Sequence, residues 1–275
     1  MQRQGIKKGI YLLPNIITTA NMFCGFFAII RTINGDYVTA AWVLMLAGVF
    51  DLLDGRVARM TKTQSGFGLE YDSLVDLTSF ALAPALLAYK WSLYEFYKVG
   101  WVACFVYFAC GALRLARFNV QSTSVEKKHF QGLPSPGAAS TIVTAVVFNQ
   151  YMNGDVPPPG YFILGLTVLV GLLMVSNIPY RGLKVLEFNR RAHFFVMVLV
   201  VLVLFVIAVE PQVTLFTLSM LYVSFGLLKG MFLGVKKIRS FADFMKHFFQ
   251  ADPHELVIAD KEKNKGQLLK VVDKE

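Results

Sequence analysis

Charge is scarce in this chain: Asp, Glu, Lys and Arg make up 16% of its 275 residues, and the acids number only 18. That excludes an ordinary soluble domain, where about 25% of residues are charged. Cysteine is nearly absent as well. Cys24, Cys104 and Cys110 lie in apolar runs without ligand spacing, so neither a disulfide framework nor a metal–thiolate site is expected. No internal repeat or low-complexity segment is visible. The first apolar run is too long for a cleavable signal and has no small-residue cleavage site. What is present is apolar. Hydrophobic residues reach 55% and mean hydropathy is +0.53, the composition of a polytopic membrane protein. The net charge of +9 does not argue for nucleic acid, because the basic residues sit beside apolar segments, where an anionic cytoplasmic leaflet suits them better.

The fold class expected is therefore all-α and polytopic, with about eight transmembrane helices. They fall at 15–30, from Tyr37 through Asp51, and at 66–89, 97–118, 136–152, 161–179, 192–209 and 213–231. Residues 1–13 read as a short interfacial segment, with Pro14 just ahead of the first helical turn. Phe241, Phe244, Met245, Phe248 and Phe249 recur at helical spacing and predict a C-terminal amphipathic helix on the membrane surface. The expected division is a membrane domain at 1–235, then this helix with a mobile charged tail at 236–275. Lys and Arg concentrate before the first span and after the second, fourth and sixth. The positive-inside rule then puts both termini in the cytoplasm.

Against this background one stretch stands out. Asp51, Asp54, Gly55 and Ala58 fall in one arc of the second helix at about 100° per residue, and Gly68, Asp72 and Asp76 recur at four-residue steps on the third. A carboxylate costs at least about 2.5 kcal/mol to insert at mid-helix in a membrane, which marks it as functional. Four acids facing one another need cations, and two Mg²⁺ or Mn²⁺ ions are the natural complement. Two metals on Asp residues serve phosphate chemistry. Gly55, Ala58 and Gly68 leave the helix surface bare for a flat base or a diphosphate, and Arg59 at the edge can neutralise a phosphate. On the first span Asn21 shares a face with Thr18 and Gly25; it either packs between helices or lines a nucleotide pocket.

Three further stretches are polar for their setting: Gly111–Asn119 with Arg114 and Arg117, Gly132–Gly137 with Ser135, and Asn177–Arg181. Each has a plain structural explanation, in snorkelling arginines, a capped helix start and a proline stop. Together they converge on the side that holds the acids, as a pocket for a small anionic or zwitterionic acceptor would.

The spacing D-x2-D-G-x2-A-R-x8-G-x3-D-x3-D resembles the CDP-alcohol phosphotransferase family. With Leu13–Thr18, Asn21, Cys24–Gly25, Arg114–Asn119 and Gly132–Pro136, the chain looks like that family's membrane-embedded phosphatidylserine synthases. The resemblance implies transfer of a phosphatidyl group from CDP-diacylglycerol to L-serine with release of CMP, or use of CDP-archaeol in an archaeal relative, in a homodimer at the inner membrane. It implies that Asp51, Asp54, Asp72 and Asp76 bind the metals and that Asp76 is the general base. Asn21, Asp54, Gly55, Ala58, Arg59, Gly68 and Asp72 would then bind the nucleotide. Arg114, Arg117, Asn119, Ser135 and Arg181 would bind the acceptor. Inositol phosphate, glycerol phosphate or choline are alternative acceptors; in another class, the acids could serve a divalent-cation transporter.

Overall fold

A computed structural model describes residues 2–61, 65–122, 132–154, 156, 158–178, 180, 198, 201–202 and 205–250, and all regular elements among them are helical. They are α1 (Gln2–Ile33), α2 (Tyr37–Thr61), α3 (Gly66–Asp76), α4 (Ala83–Ala88), α5 (Tyr97–Ser122), α6 (Ser135–Asn153), α7 (Gly160–Val175) and α8 (Pro211–Gln250). Four helical runs are long and apolar enough to cross a membrane: Pro14–Ile33, Tyr37–Thr61, Gly66–Val120 and Pro211–Gly230. The expected span at 192–209 and Arg181 fall mostly or wholly outside the described residues, as does the tail beyond Gln250.

The 55-residue run from Gly66 would extend about 80 Å if straight, far more than a hydrocarbon core of about 30 Å. It folds back at Tyr97, whose φ of 46° breaks the helical path, and α5 returns against α4 and the helical turns before it. Between α3 and α4 the chain is π-helical over Leu77–Leu82, and again over Tyr89–Leu93 after α4. Such turns are wider than α and loosen the regular carbonyl pairing. Here Tyr107 of α5 donates its hydroxyl to the Phe80 carbonyl at 2.9 Å and takes up one of those acceptors.

Pro14 lies inside α1, not ahead of it, because the helix already begins at Gln2. A proline removes only one N–H, a loss that membrane helices accommodate through neighbouring groups. Of the separate interfacial segment expected at 1–13, the described residues 2–13 are helical and continuous with the first span.

The chain divides into two compact units, 1–226 and 227–275, and the packing described here belongs to the first. α1 and α2 form an antiparallel pair joined by a tight turn in which Gly35 takes a φ of 81°. Asp36 caps α2, accepting from the Thr39 N–H at 3.2 Å. Alanines at 28, 40, 41 and 83 are buried at the junction of α1, α2, α4 and α6. Small side chains let helix axes approach closely, the chief source of adhesion where lipid is as apolar as the core. The start of α6 is tied to the end of α7: Gly132 N–H donates to Ile178 O at 2.9 Å and Leu133 N–H to Leu173 O at 2.9 Å. Gly132 has a φ of 84°, and a Cβ there would lie 2.2 Å from Met174 O, so glycine is required.

Candidate active site

The acids flank the α2–α3 connection. α3 starts with Ser65 as its N-cap, the side chain accepting from Gly68 N–H at 3.0 Å, which sets the phase of the turns carrying Asp72 and Asp76. One carboxylate oxygen from each of Asp51, Asp72 and Asp76 lies within 4.8 Å of the others. Three charged carboxylates this close repel by roughly 3–4 kcal/mol per pair at an effective dielectric of 20. Asp72 Oδ1 and Asp76 Oδ1 are buried and have no hydrogen-bond partner. A buried acceptor left open in this way calls for a ligand, and an oxygen-only donor set suits a hard divalent cation. The residues present fit a metal ion.

Asp54 stands apart from this trio. It is 5% exposed and its Oδ2 accepts from the Thr18 hydroxyl of α1 at 2.9 Å, although it remains within electrostatic range of Asp51 and Asp72. Asn21, one turn further along α1, is wholly buried with both side-chain amide atoms unpartnered, while its backbone carbonyl accepts from the Ser79 hydroxyl at 3.3 Å. The π-helical turn brings Ser79 under α1 at Gly25, where an added Cβ would sit 2.4 Å from Ser79 Oγ. Gly55 is open except for Arg59, which folds back to donate Nε to the Gly55 carbonyl at 2.7 Å. Ala58 is half-buried, and Gly68 faces Asn15 Oδ1, 3.5 Å from where a Cβ would stand. Gly55 thus leaves the α2 surface open, whereas the space at Gly68 on α3 is taken by Ser65 Oγ and Asn15 Oδ1.

The acceptor candidates separate. Arg114 of α5 reaches the acids: it lies within electrostatic range of Asp76 and Asp51, and its Nη1 donates to Ser135 Oγ at the start of α6. Its Nε is buried without a partner. Ser135 is fully buried, so it touches Arg114 and not open space. Arg117 instead turns to Asn177 Oδ1 at 3.5 Å. Asn119 donates to Glu70 Oε2 at 3.1 Å and accepts from Ser73 at 3.0 Å, on a side of α3 away from the trio.

Thr18 shares a face of α1 with Asn21, and that spacing is the one signal in the sequence of its contact with Asp54. Nothing in the sequence singles out Tyr222 of α8. That ring packs at 3.1 Å from a Cβ position on Gly137, 5.5 Å from the Tyr180 ring, and within electrostatic range of Arg114. No periodicity in an apolar helix distinguishes such a tyrosine from a membrane-facing one.

Residues 11–233 match the model of the CDP-alcohol phosphatidyltransferase family. Among similar proteins is a CDP-diacylglycerol–serine O-phosphatidyltransferase of Helicobacter pylori, 36% identical over 232 residues, which span 83% of this chain and 95% of that protein. An enzyme of the same name from Mycobacterium tuberculosis is 32% identical over 184 residues, 65% of this chain and 63% of its own length. The archaetidylserine synthase of Methanothermobacter thermautotrophicus is 36% identical over 170 residues, 61% of this chain and 69% of that protein.

Proposed function

The chain belongs to the CDP-alcohol phosphatidyltransferase family, and we infer that it is a membrane enzyme transferring the phosphatidyl group of CDP-diacylglycerol to the hydroxyl of L-serine. Phosphatidylserine and CMP are the products. The observation that carries this reading is the convergence of Asp51, Asp72 and Asp76, with Arg114 beside them, in a chain so similar to serine-specific relatives.

Two divalent cations, Mg²⁺ or Mn²⁺, are held in this reading by the trio and Asp54. When bound, they supply charge neutralisation for the diphosphate and for departing CMP. Asn21, Gly55, Ala58 and Gly68 receive the nucleotide between α1, α2 and α3, with Asp54 and Asp72 at its ribose and diphosphate side and Arg59 on a phosphate oxygen. Arg114 clamps the serine carboxylate, held in place by Ser135, and Arg117, Asn119 and Arg181 complete the acceptor-binding set in this reading. Asp76 accepts the serine hydroxyl proton as the serine oxygen bonds to the lipid-side phosphorus. The bond from that phosphorus to the bridging oxygen breaks, and CMP takes the electron pair.

The chain crosses the inner membrane about eight times with the carboxylates toward the cytoplasm, where CDP-lipids and serine meet. The membrane domain spans 1–235, and 236–275 lie on the cytoplasmic side. The working form is a homodimer.

Purified protein in detergent, given CDP-diacylglycerol, a divalent metal and a panel of alcohols, tests the reading by CMP release. The expected result is serine-dependent release abolished by EDTA. Release with inositol phosphate or glycerol phosphate but not serine would move the acceptor assignment, and no release with any alcohol would end the enzyme reading. CDP-archaeol in the same assay tests the lipid tail.

A further inference from the structure

We propose that Thr18 is a positioning residue that splits the carboxylate quartet, holding Asp54 on α1 while Asp51, Asp72 and Asp76 face one another. Two cation positions result in place of one crowded cluster. The inference rests on the two-cation reading above.

The contact is sealed from both sides, Thr18 being 4% and Asp54 5% exposed. The hydroxyl has one proton and two acceptors within reach, Asp54 Oδ2 at 2.9 Å and Pro14 O at 3.0 Å. Two arguments give the proton to Asp54. A hydrogen bond to a carboxylate is roughly twice as strong as one between neutral groups. The Pro14 carbonyl is also the acceptor that the α-helical pattern assigns to the Thr18 backbone N–H, so it is satisfied without the hydroxyl.

Donation to Oδ2 fixes the rotamer of Asp54 and keeps its charge from swinging into the trio. A carboxylate has about four lone-pair sites. One bond from Thr18 therefore leaves Asp54 able to ligate, from a direction set by α1 and not by α3. Asp51 and Asp54 sit on the same helix, three residues apart, yet only Asp51 shares the 4.8 Å cluster. A packing role alone would place any β-branched residue here; the 2.9 Å donation is what valine cannot supply.

The test is Mn²⁺ binding to the full-length protein in detergent without lipid substrate, followed by loss of the free-ion EPR signal. Wild type, Thr18→Ser and Thr18→Val are compared, and thermal unfolding without metal checks that all three fold alike. Wild type and Thr18→Ser should bind two equivalents alike. Thr18→Val should weaken one equivalent about 10–100-fold, the usual cost of losing a group that orients a ligand, and leave the other unchanged. Identical isotherms for Thr18→Val and wild type would overturn the proposal, as would equal weakening of both equivalents. No Mn²⁺ binding by wild type would overturn the two-cation reading itself, and the role of Thr18 with it.

Discussion

The two ends of α2 treat their polar groups in opposite ways. Near its start, charge is paired off. Arg31 meets Asp36 at 3.3 Å and lies 5.0 Å from the centre of the Phe27 ring. Asp36 also caps Thr39, and Tyr37 donates to Lys90 O at 3.0 Å. Asn149 donates to Val156 O at 2.8 Å while accepting from Asn153. Near its far end, about 27 Å away by helical rise from Asp36 to Asp54, Asp72, Asp76, Asn21 and Arg114 all keep buried atoms without partners. Native proteins rarely leave such atoms without a partner, and a cluster of them calls for a ligand.

The contrast is not one of empty space. A cavity of about 500 Å³ lies at the satisfied end, bordered by Asp36, Tyr37, Lys90, Ser92, Asn149 and Gln150. Among its described lining residues, the one buried side-chain atom without a hydrogen-bond partner is Ser92 Oγ. The cavity marks that end by shape alone; the unmet carboxylates mark the other. A pocket that holds lipid needs no enclosed volume, because its acyl chains stay in the bilayer.

Substitutions at the two ends should differ sharply in effect. Asp72→Asn should cost the most, lowering CMP release by more than the roughly 10–100-fold seen when a group merely supporting a metal ligand is lost. Loss of similar size from an acid at the satisfied end would erase the distinction. Arg114→Ala should raise the KM for serine about 10–100-fold, corresponding to a charge-assisted hydrogen bond of about 1.5–3 kcal/mol, with the KM for CDP-diacylglycerol nearly unchanged. An equal rise in both would make Arg114 a general support of the acidic cluster. Arg31→Ala should do least. The pair it breaks is 43% and 37% exposed, and such ion pairs contribute less than about 1 kcal/mol. Thermal unfolding should shift slightly and turnover not at all.

Much of the site was legible from sequence because helical periodicity fixes which residues share a face. Asp51, Asp72 and Asp76 meet as their spacing required, and Arg114 arrives from another span as its position at a polar helix end suggested. Glu70, four residues from neither Asp72 nor Asp76, is paired with Asn119 on another side of α3, as an acid off the face should be. What escaped depends on contacts between segments. The π-helical turn at Leu77–Leu82 follows Asp76 without a break in apolar composition, so nothing in the letters marks it. That turn decides what Ser79 touches: α1, not the acids. Pro14 looked like a helix start because proline favours first turns, yet the helix already runs through it. The hold of Thr18 on Asp54 links residues 36 apart in sequence, a distance no periodicity spans.

In the proposed reaction the open carboxylates act on a bound lipid, and Asp76 takes the proton. Asp76→Asn tests this most directly, measured for CDP-diacylglycerol binding and for serine-dependent CMP release in the same preparation. Binding should stay close to wild type and release should fall about 10²–10⁴-fold, the contribution expected of a general base. Binding and release falling together would contradict it and leave Asp76 only a place among the metal ligands.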